Sequence, residues 1–253
     1  MSASRKLHQF KRKKPIYKSR FFWISIAVLL IVSALFYLIV FASFFDVEEF
    51  KISGNQKINE DNIREIAVRN FPRKLPFVTS RTVFLADIGQ IRTKIRKKFP
   101  IIHEVKVQRR LPNKLEIMVG ERKPVATFLG NKNYLIDKRG VVFEATTSDK
   151  GFLIDSGVEK VKPGERIISR ETMDKILTIE TKLKEMKIKK AVLKSKSRLD
   201  VITQAGWKAY FDLSKDWEWQ ISKLKIALER EISETEWKDL NYIDLRFDKI
   251  YYK

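Results

Sequence analysis

The sequence predicts an α+β protein in which one transmembrane helix precedes two small domains of mixed strands and helices. Residues 21–45 form a run of 25 residues without a charged side chain, which is long enough to cross a bilayer. The next segment, 46–122, has the pattern strand, helix, helix, strand, strand, and the remainder, 123–253, combines short strand patterns with two helical ones. The residues before the span, 1–20, form a basic tail. With 253 residues, 44% of them hydrophobic, the chain can build two cores.

The composition excludes several kinds of chemistry. The chain has no cysteine, which rules out disulfides, thiolate metal sites and cysteine nucleophiles. Its two histidines, His8 and His103, are too few for an ordinary zinc or copper site. The sequence contains no phosphate-binding G-x-x-x-x-G-K-[ST] loop, no G-x-S-x-G turn and no H-E-x-x-H motif. We therefore expect a protein that is not an enzyme and needs no metal and no cofactor.

The apolar run is expected to be a retained membrane anchor. At about 1.5 Å per residue it extends roughly 37 Å, which exceeds a hydrocarbon core of about 30 Å. Aromatic residues at its entry, Phe21 to Trp23, suit the membrane interface. The alternative is a cleavable signal peptide with Val40-Phe41-Ala42 as its cleavage site. The apolar region of a signal peptide is normally about 7–15 residues, so a retained anchor fits the length better.

The charges on either side of the span predict the direction of crossing. Eight lysines and arginines and no acidic residue lie within 1–20, whereas three acidic residues follow the span within 46–49. The positive-inside rule then places the N-terminus in the cytoplasm and the rest of the chain outside. Four residues form the densest part of the tail: Lys11, Arg12, Lys13 and Lys14. They are expected to set the topology. Two alternatives stay open: that this is their only role, or that they also contact anionic headgroups of the inner leaflet.

The net charge of +21 raises the question of nucleic-acid binding. The predicted topology argues against it, because most of the basic residues follow the span and lie where there is no genome to bind. A membrane-tethered nucleic-acid binder is kept only as a minor alternative, and no nucleic-acid partner is expected.

The first segment after the span has its helix and strand patterns in a clear order. Residues 45–53 predict a short strand that Gly54 ends. Asn59 can cap a helix that has acidic residues in its first turn. A second helix is expected over Leu85–Phe99, where apolar residues recur at helical spacing, and Pro100 ends it.

A β-hairpin is predicted for the next residues. Valine, leucine and isoleucine alternate with polar residues on both sides of the sequence RRLPN, residues 109–113. Arg109 and Arg110 are accordingly expected to be solvated charges at the turn. A contact with another protein is the alternative role for these two arginines.

The second segment predicts strands around two helices. Six strands are expected, at 125–129, 134–136, 141–143, 190–195, 198–204 and 207–213. Ser169 can cap a helix over 169–187, and a second helix covers 216–231. The last segment, Tyr242–Lys253, alternates apolar and charged residues, with Phe247 in the apolar series. It is expected to form one or two strands and to leave a sheet edge open to another chain.

Four stretches of the chain together resemble the FtsQ/DivIB family of bacterial cell division proteins. They are FDVEEFKISGNQKINEDNI, FPIIHEVKVQRRLPNKLEIMVGERKPVATF, NYLIDKRGVVFE and YIDLRFDK. The β-α-α-β-β order of residues 46–122 resembles a POTRA domain. Four residues match the junction that follows the POTRA hairpin in this family: Glu121, Arg122, Pro124 and Ala126.

The resemblance implies a bitopic scaffold at the division site that recruits and regulates septal peptidoglycan synthesis. It implies partners of the FtsB (DivIC) and FtsL type, which are coiled-coil membrane proteins, and other division proteins. In the family, such a partner binds the second domain by strand addition near the last strand. The matching positions, with the edge that continues from them, are Arg246, Phe247, Asp248, Lys249, Ile250, Tyr251 and Tyr252. The alternative function is a POTRA-bearing factor for envelope assembly or transport.

Overall fold

The computed structural model describes residues 17, 19–41, 43–71, 82–148, 151–230, 232, 237 and 239–253. The basic cluster Lys11, Arg12, Lys13 and Lys14 lies outside the described residues. Helix α1 spans Arg20–Phe41, and its 22 residues extend about 33 Å. Within the described part of the chain it is the one helix long and apolar enough to cross a membrane. A 3₁₀ turn, Ser43–Phe45, follows it.

The first domain has the predicted β-α-α-β-β order. Its elements are β1 (Glu49–Ser53), α2 (Glu60–Arg69), α3 (Ile88–Lys98), β2 (Ile102–Arg110) and β3 (Lys114–Glu121). The three strands form one sheet in the order β1-β3-β2, in which β1 is parallel and β2 antiparallel to β3. The Asn59 side chain caps α2 by accepting the N–H of Asp61 at 2.9 Å. The buried faces of the two helices, with Ile63 on α2 and Ile91 on α3, pack on the sheet.

Two element boundaries in this domain were predicted wrongly. Helix α3 begins at Ile88 rather than Leu85, because Asp87 accepts the N–H of Gln90 and caps the helix there. Leu85 belongs instead to a 3₁₀ turn, Val83–Leu85. Strand β1 begins at Glu49 rather than residue 45, because pairing with β3 starts only opposite Lys114.

The prediction that Arg109 and Arg110 are turn residues was also wrong. Both lie in β2, where Arg110 pairs with Lys114 and only Leu111–Asn113 form the turn. The Arg109 guanidinium donates to the carbonyl oxygens of Val83 and Ala86 at 2.9 and 2.8 Å. Arg109 therefore fastens the loop before α3 to the hairpin.

The second domain is built on one large sheet. Its elements are β4 (Pro124–Leu129), β5 (Asn133–Asp137), β6 (Val142–Thr146), β7 (Leu153–Asp155), α4 (Arg170–Lys182), β8 (Ile188–Leu193), β9 (Arg198–Thr203), β10 (Lys208–Asp212), α5 (Trp217–Arg230), β11 (Tyr242–Asp244) and β12 (Tyr251–Tyr252). The nine strands lie in the order β12-β11-β10-β9-β8-β7-β4-β5-β6. The predicted mixed domain, with one or two strands in its last segment, is confirmed.

Both helices of this domain cover the same face of the sheet. Ile176 of α4 and Leu224 of α5 share one buried cluster with Leu199 and Phe211 of the central strands. Residues that alternate with these along the strands, such as Tyr210, lie on the opposite face, away from both described helices of the domain. One sheet face therefore forms the core. On the opposite face, Phe143 of β6 packs into the first domain, whereas the part around Tyr210 is covered by no described helix.

The sequence patterns missed one central strand and extended one helix too far. Strand β7 has only three residues and no alternation, yet it pairs in parallel with both β4 and β8. Helix α4 starts after the predicted cap, Ser169, which accepts the N–H of Thr172, but it ends at Lys182 rather than residue 187. The continuation, Lys184–Met186, is a 3₁₀ turn that Lys187 ends with a φ of 49°.

Of the residues of the predicted junction, Glu121 fixes a loop of the first domain and Arg122 connects the two domains. The Glu121 carboxylate accepts the backbone N–H groups of residues 56–58. Arg122 donates to the Pro100 carbonyl and to the Asp137 carboxylate. Phe143 of β6 packs into the core of the first domain. The junction is therefore a packed and hydrogen-bonded contact between the domains.

Candidate partner-binding edge

Strand β12 forms one edge of the nine-stranded sheet and, among the described strands, pairs with β11 alone. Lys253 and Tyr242 exchange backbone hydrogen bonds in both directions, at 3.2 and 3.3 Å. Hydrogen-bonded and non-hydrogen-bonded pairs alternate in an antiparallel ladder. Tyr252, which precedes Lys253, is in a non-hydrogen-bonded pair, so its backbone N–H and C=O point away from β11. These two groups can therefore accept an added strand.

Four of the predicted site residues lie in the turn that leads to this edge. Arg246, Phe247, Asp248 and Lys249 follow β11 as a series of bends, and Ile250 after them is partly buried against the core. Phe247 does not continue the buried alternation of Ile243 and Leu245, contrary to the prediction. Its side chain is 52% exposed because the chain leaves the sheet after β11.

Three exposed aromatic residues lie at this edge, and two of them are in contact. Phe247 contacts Tyr251 edge-on with ring centroids 5.9 Å apart, and Tyr251 and Tyr252 are 54% and 50% exposed. Tyr251 lies opposite Asp244, on the sheet face away from the helices. Aromatic residues are enriched at the centres of protein interfaces, where they bury much area at little cost in conformational entropy.

Two lysines fix the turn before β12. The Lys223 ammonium of α5 donates to the carbonyl oxygens of Leu245 and Phe247 at 3.2 and 2.7 Å. Lys215 donates to the carbonyl oxygen of Arg246 at 2.9 Å. These bonds hold the backbone around Phe247 in place before any partner binds, which reduces the ordering cost of association.

An arginine–aspartate pair stands on each side of Tyr210. Arg246 binds Asp244 through two hydrogen bonds at 2.9 and 2.6 Å, and Arg198 binds Asp200 in the same way at 2.9 and 3.3 Å. The two guanidinium carbons lie 5.6 and 5.1 Å from the Tyr210 ring centroid. The pairs and the ring form a continuous arginine–aromatic surface beside β12, and Tyr242 extends it by stacking on Tyr210.

The electrostatics of this surface favour the ionised pair. Burial alone raises the pKa of Asp244, but hydrogen bonds from the Arg246 side chain and backbone outweigh it and hold the pKa below its usual range. The hydrogen bond to Asp244 in turn raises the pKa of Arg246. The surface thus presents guanidinium planes whose charge is already compensated, which suits stacking and hydrogen bonding to a partner.

The arrangement offers several features that suit the binding of a partner. In the described part of the chain, no three histidine, aspartate or glutamate side chains are grouped to hold a metal ion. What the edge offers is an open main chain, three exposed aromatic rings and an arginine-rich face. These features together are typical of β-strand addition, in which main-chain bonds give affinity and side-chain pockets give specificity.

The sequence reasoning named Arg246 but missed its neighbours on the surface. Arg198, Asp200 and Tyr210 come from β9 and β10, far from the last segment in sequence. One pattern could have found them: the triplet RLD at 198–200 is repeated in reverse as DLR at 244–246. The first triplet lies in β9 and the second begins at the end of β11, on either side of β10, so their charged residues reach one face.

Comparisons with known proteins match both domains. Residues 45–122 match the family model of the POTRA domain, FtsQ-type. Residues 125–246 match the model described as cell division protein FtsQ/DivIB, C-terminal. The two models together cover most of the chain.

Individual relatives agree with these models. The chain is 28% identical over 109 residues to cell division protein DivIB of Clostridium acetobutylicum, covering 43% of this chain and 40% of the relative. It is 28% identical over 120 residues to cell division protein FtsQ of Koribacter versatilis, covering 46% and 32%. It is 29% identical over 157 residues to FtsQ of Syntrophotalea carbinolica, covering 59% and 51%. The chain thus matches about a third to a half of the length of these curated relatives.

Proposed function

The chain belongs to the FtsQ/DivIB family of cell division proteins, and we propose that it acts as a bitopic scaffold that links division proteins at the septum. In this proposal residues 1–20 form a cytoplasmic tail, 21–45 the membrane anchor, 46–122 the POTRA domain and 123–253 the partner-binding domain. The scaffold recruits and regulates septal peptidoglycan synthesis through a complex with coiled-coil partners of the FtsB (DivIC) and FtsL type, and its own contribution is non-catalytic.

The observation that carries this proposal is the open edge of β12. The outward backbone groups of Tyr252 can pair with a strand of the partner, which adds a further strand to the nine-stranded sheet. The exposed rings of Phe247 and Tyr251 then pack against the partner's side chains. Arg246 lies beside them, so the predicted site residues act as one surface although only Tyr251 and Tyr252 are in a strand.

A proline at Tyr252 tests the strand-addition proposal. Proline removes the outward N–H but leaves the hydrogen bonds between Lys253 and Tyr242 in place, so the domain should stay folded. We expect at least about a tenfold loss of affinity for the FtsB/DivIC-type partner, measured by calorimetry with its extracytoplasmic segment. Tyr252→Ala is the matched control, because it removes the side chain and keeps the N–H. Equal affinities for the proline and alanine variants would contradict main-chain pairing.

A second variant tests the contribution of the arginine surface. Arg246→Glu removes the bond to Asp244 and places two carboxylates together. We expect weaker partner binding with a nearly unchanged circular dichroism spectrum, since Phe211 and the rest of the core lie on the other face. Arg170→Glu, an exposed arginine at the start of α4, is the control for the change of charge. If both variants bind equally well, Arg246 has no part in recognition.

The proposed topology and location can be tested in cells. Alkaline phosphatase is active only outside the cytoplasm, so this reporter fused after Lys253 should be active. A reversed topology would leave it inactive. A fluorescent protein fused at the N-terminus should form a ring at midcell. Uniform labelling of the envelope would argue for the alternative, a POTRA-bearing assembly or transport factor. The match to the FtsQ-type POTRA model supports the division role.

A further inference from the structure

Three apolar side chains are exposed on the first domain close in sequence or space to the end of α1. Phe44 is 66% exposed, Phe84 39% and Leu111 61%. They come from three separate segments: the 3₁₀ turn after α1, the 3₁₀ turn before α3, and the turn between β2 and β3. We call these three residues the proximal tip.

Phe45 and Arg109 connect the segments that carry the proximal tip. The Phe45 ring lies 5.3 Å from that of Phe44 and 5.2 Å from that of Phe84, both in edge-on geometry. Arg109 donates to the carbonyl of Val83, the first residue of the Phe84 turn, and to that of Ala86, the residue after the turn. Leu111 follows Arg109 by two residues, so the hairpin turn and the Phe84 turn share one end of the domain.

The length of α1 sets the height of the tip. Its 22 residues extend about 33 Å, which matches a hydrocarbon core of about 30 Å, so Phe41 lies at the far boundary. Phe44 and Phe45 come three and four residues later, within the headgroup layer, where aromatic rings are favoured. The contact between Phe45 and Phe84 then brings a loop of the folded domain to the same level.

We propose that the proximal tip is a lipid-docking surface: Phe44, Phe84 and Leu111 enter the interface of the outer leaflet and seat the POTRA domain on the membrane. This proposal rests on the proposed membrane anchor. The anchor alone would attach the domain to the membrane at one point. Docking gives the domain a second attachment and fixes its tilt, which orients the edge strand β12 relative to the membrane.

The charges around the tip indicate that docking is driven by apolar burial rather than by attraction to anionic lipids. Arg110 is paired with Glu116 at 2.8 Å, and Lys114 with Glu49. Arg109 is bound to backbone carbonyls. Among the described residues, carboxylates compensate the charges of Arg110 and Lys114, and the donors of Arg109 are engaged by carbonyls. Docking should therefore depend weakly on the lipid charge.

The test uses single-cysteine variants of the full chain, which has no cysteine of its own. Phe84→Cys and Leu111→Cys are labelled with a polarity-sensitive dye and reconstituted into phosphatidylcholine vesicles with and without brominated acyl chains. Val158→Cys, at 41% exposure in the second domain, is the matched control, and Leu35→Cys within α1 reports insertion of the anchor. Two independent tip positions are used so that a folding defect in one variant leaves the other informative.

The proposal predicts that labels at 84 and 111 lose most of their emission to brominated lipid, as at 35, while the label at 158 loses none. Replacing half of the lipid by phosphatidylglycerol should leave these values unchanged. Quenching at 35 without quenching at 84 and 111 would overturn docking and leave the anchor intact. Lack of quenching at 35 would overturn the anchor and docking together. Quenching at 158 as well would mean unspecific adsorption and would also overturn the proposal.

Discussion

Replacement of Arg122 by methionine tests how firmly the two domains are joined. The guanidinium donates to the Asp137 carboxylate at 2.5 Å and to the carbonyl of Pro100 at 3.0 Å. Pro100 belongs to the first domain, whereas Asp137 ends strand β5 of the second, so one side chain connects both. Methionine keeps much of the apolar stem and removes the charge and the donors.

The magnitude follows from the burial of the pair. The Arg122 and Asp137 side chains are only 13% and 6% exposed. Removing one partner of a buried ion pair costs about 3–5 kcal/mol, because it leaves a charge without compensation. Asp137 keeps two hydrogen bonds, from the backbone N–H groups of Arg139 and Val141. We therefore expect the lower end, about 3 kcal/mol, a large part of a typical unfolding free energy of about 5–15 kcal/mol.

Urea unfolding of the full chain in detergent micelles, followed by tryptophan emission, measures this loss. A double-mutant cycle with Asp137→Asn isolates the pair, and we expect a coupling energy of about 2 kcal/mol. Lys123→Met, an exposed neighbour, should change the unfolding free energy by no more than about 0.5 kcal/mol. A coupling energy below about 0.5 kcal/mol would refute the reasoning, because the buried pair would then stabilise the protein no more than a solvent-exposed ion pair does.

Four further outcomes follow from the contacts described. Gly140→Ala should lower the thermal midpoint, because φ is 72° and a Cβ atom would come within 2.1 Å of the Ile168 carbonyl oxygen; an unchanged midpoint would contradict this. Phe211→Ala, in the fully buried core, should cost about 3–5 kcal/mol in a urea titration, and a loss under about 1 kcal/mol would mean that the site collapses. Arg109→Gln should increase amide exchange in the turn before α3 over that of the wild type, and equal rates would mean that its two bonds do not hold the turn. Burial raises the pKa of Glu121, but hydrogen bonds from three backbone N–H groups outweigh burial and hold the pKa below its usual range. The carboxylate's contribution to the free energy of unfolding is therefore complete above about pH 5 and is lost as the pH falls through the lowered pKa. The stability difference between the wild type and Glu121→Gln should shrink on acidification, and a constant difference would refute this.

Local chemistry made the helices predictable. Asn59 and Ser169 were expected to cap helices from their position before an apolar stripe, and both accept a backbone N–H in the first turn. The boundary errors have equally local causes: Asp87 competes successfully as a cap, and Lys187 in the left-handed region ends the turn after α4. Such boundaries depend on one hydrogen bond and are not fixed by hydrophobic spacing.

Part of the candidate site was also readable from the sequence. The last segment was expected to contain an edge strand, and β12 lies at the edge of the sheet. The alternation that placed Phe247 with Ile243 and Leu245 failed, since the turn held by Lys223 interrupts the strand after Asp244. The alternation of apolar and charged residues continues in the sequence beyond Asp244, where the strand ends.

The sequence by itself determined the apolar helix, the capped helices and the β2–β3 hairpin, because each depends on residues within one segment. It also determined what kinds of chemistry are absent from the side chains, such as every reaction that needs a thiol. Only the tertiary structure decided which edge stays open and which charges find partners. Strand β10 lies beside β11 through the parallel pairing of Lys208 with Tyr242, and this pairing brings Arg198 and Arg246 to the same ring. The physical reason is that pairing and charge compensation act between residues far apart in the chain, and no local pattern specifies which of them meet.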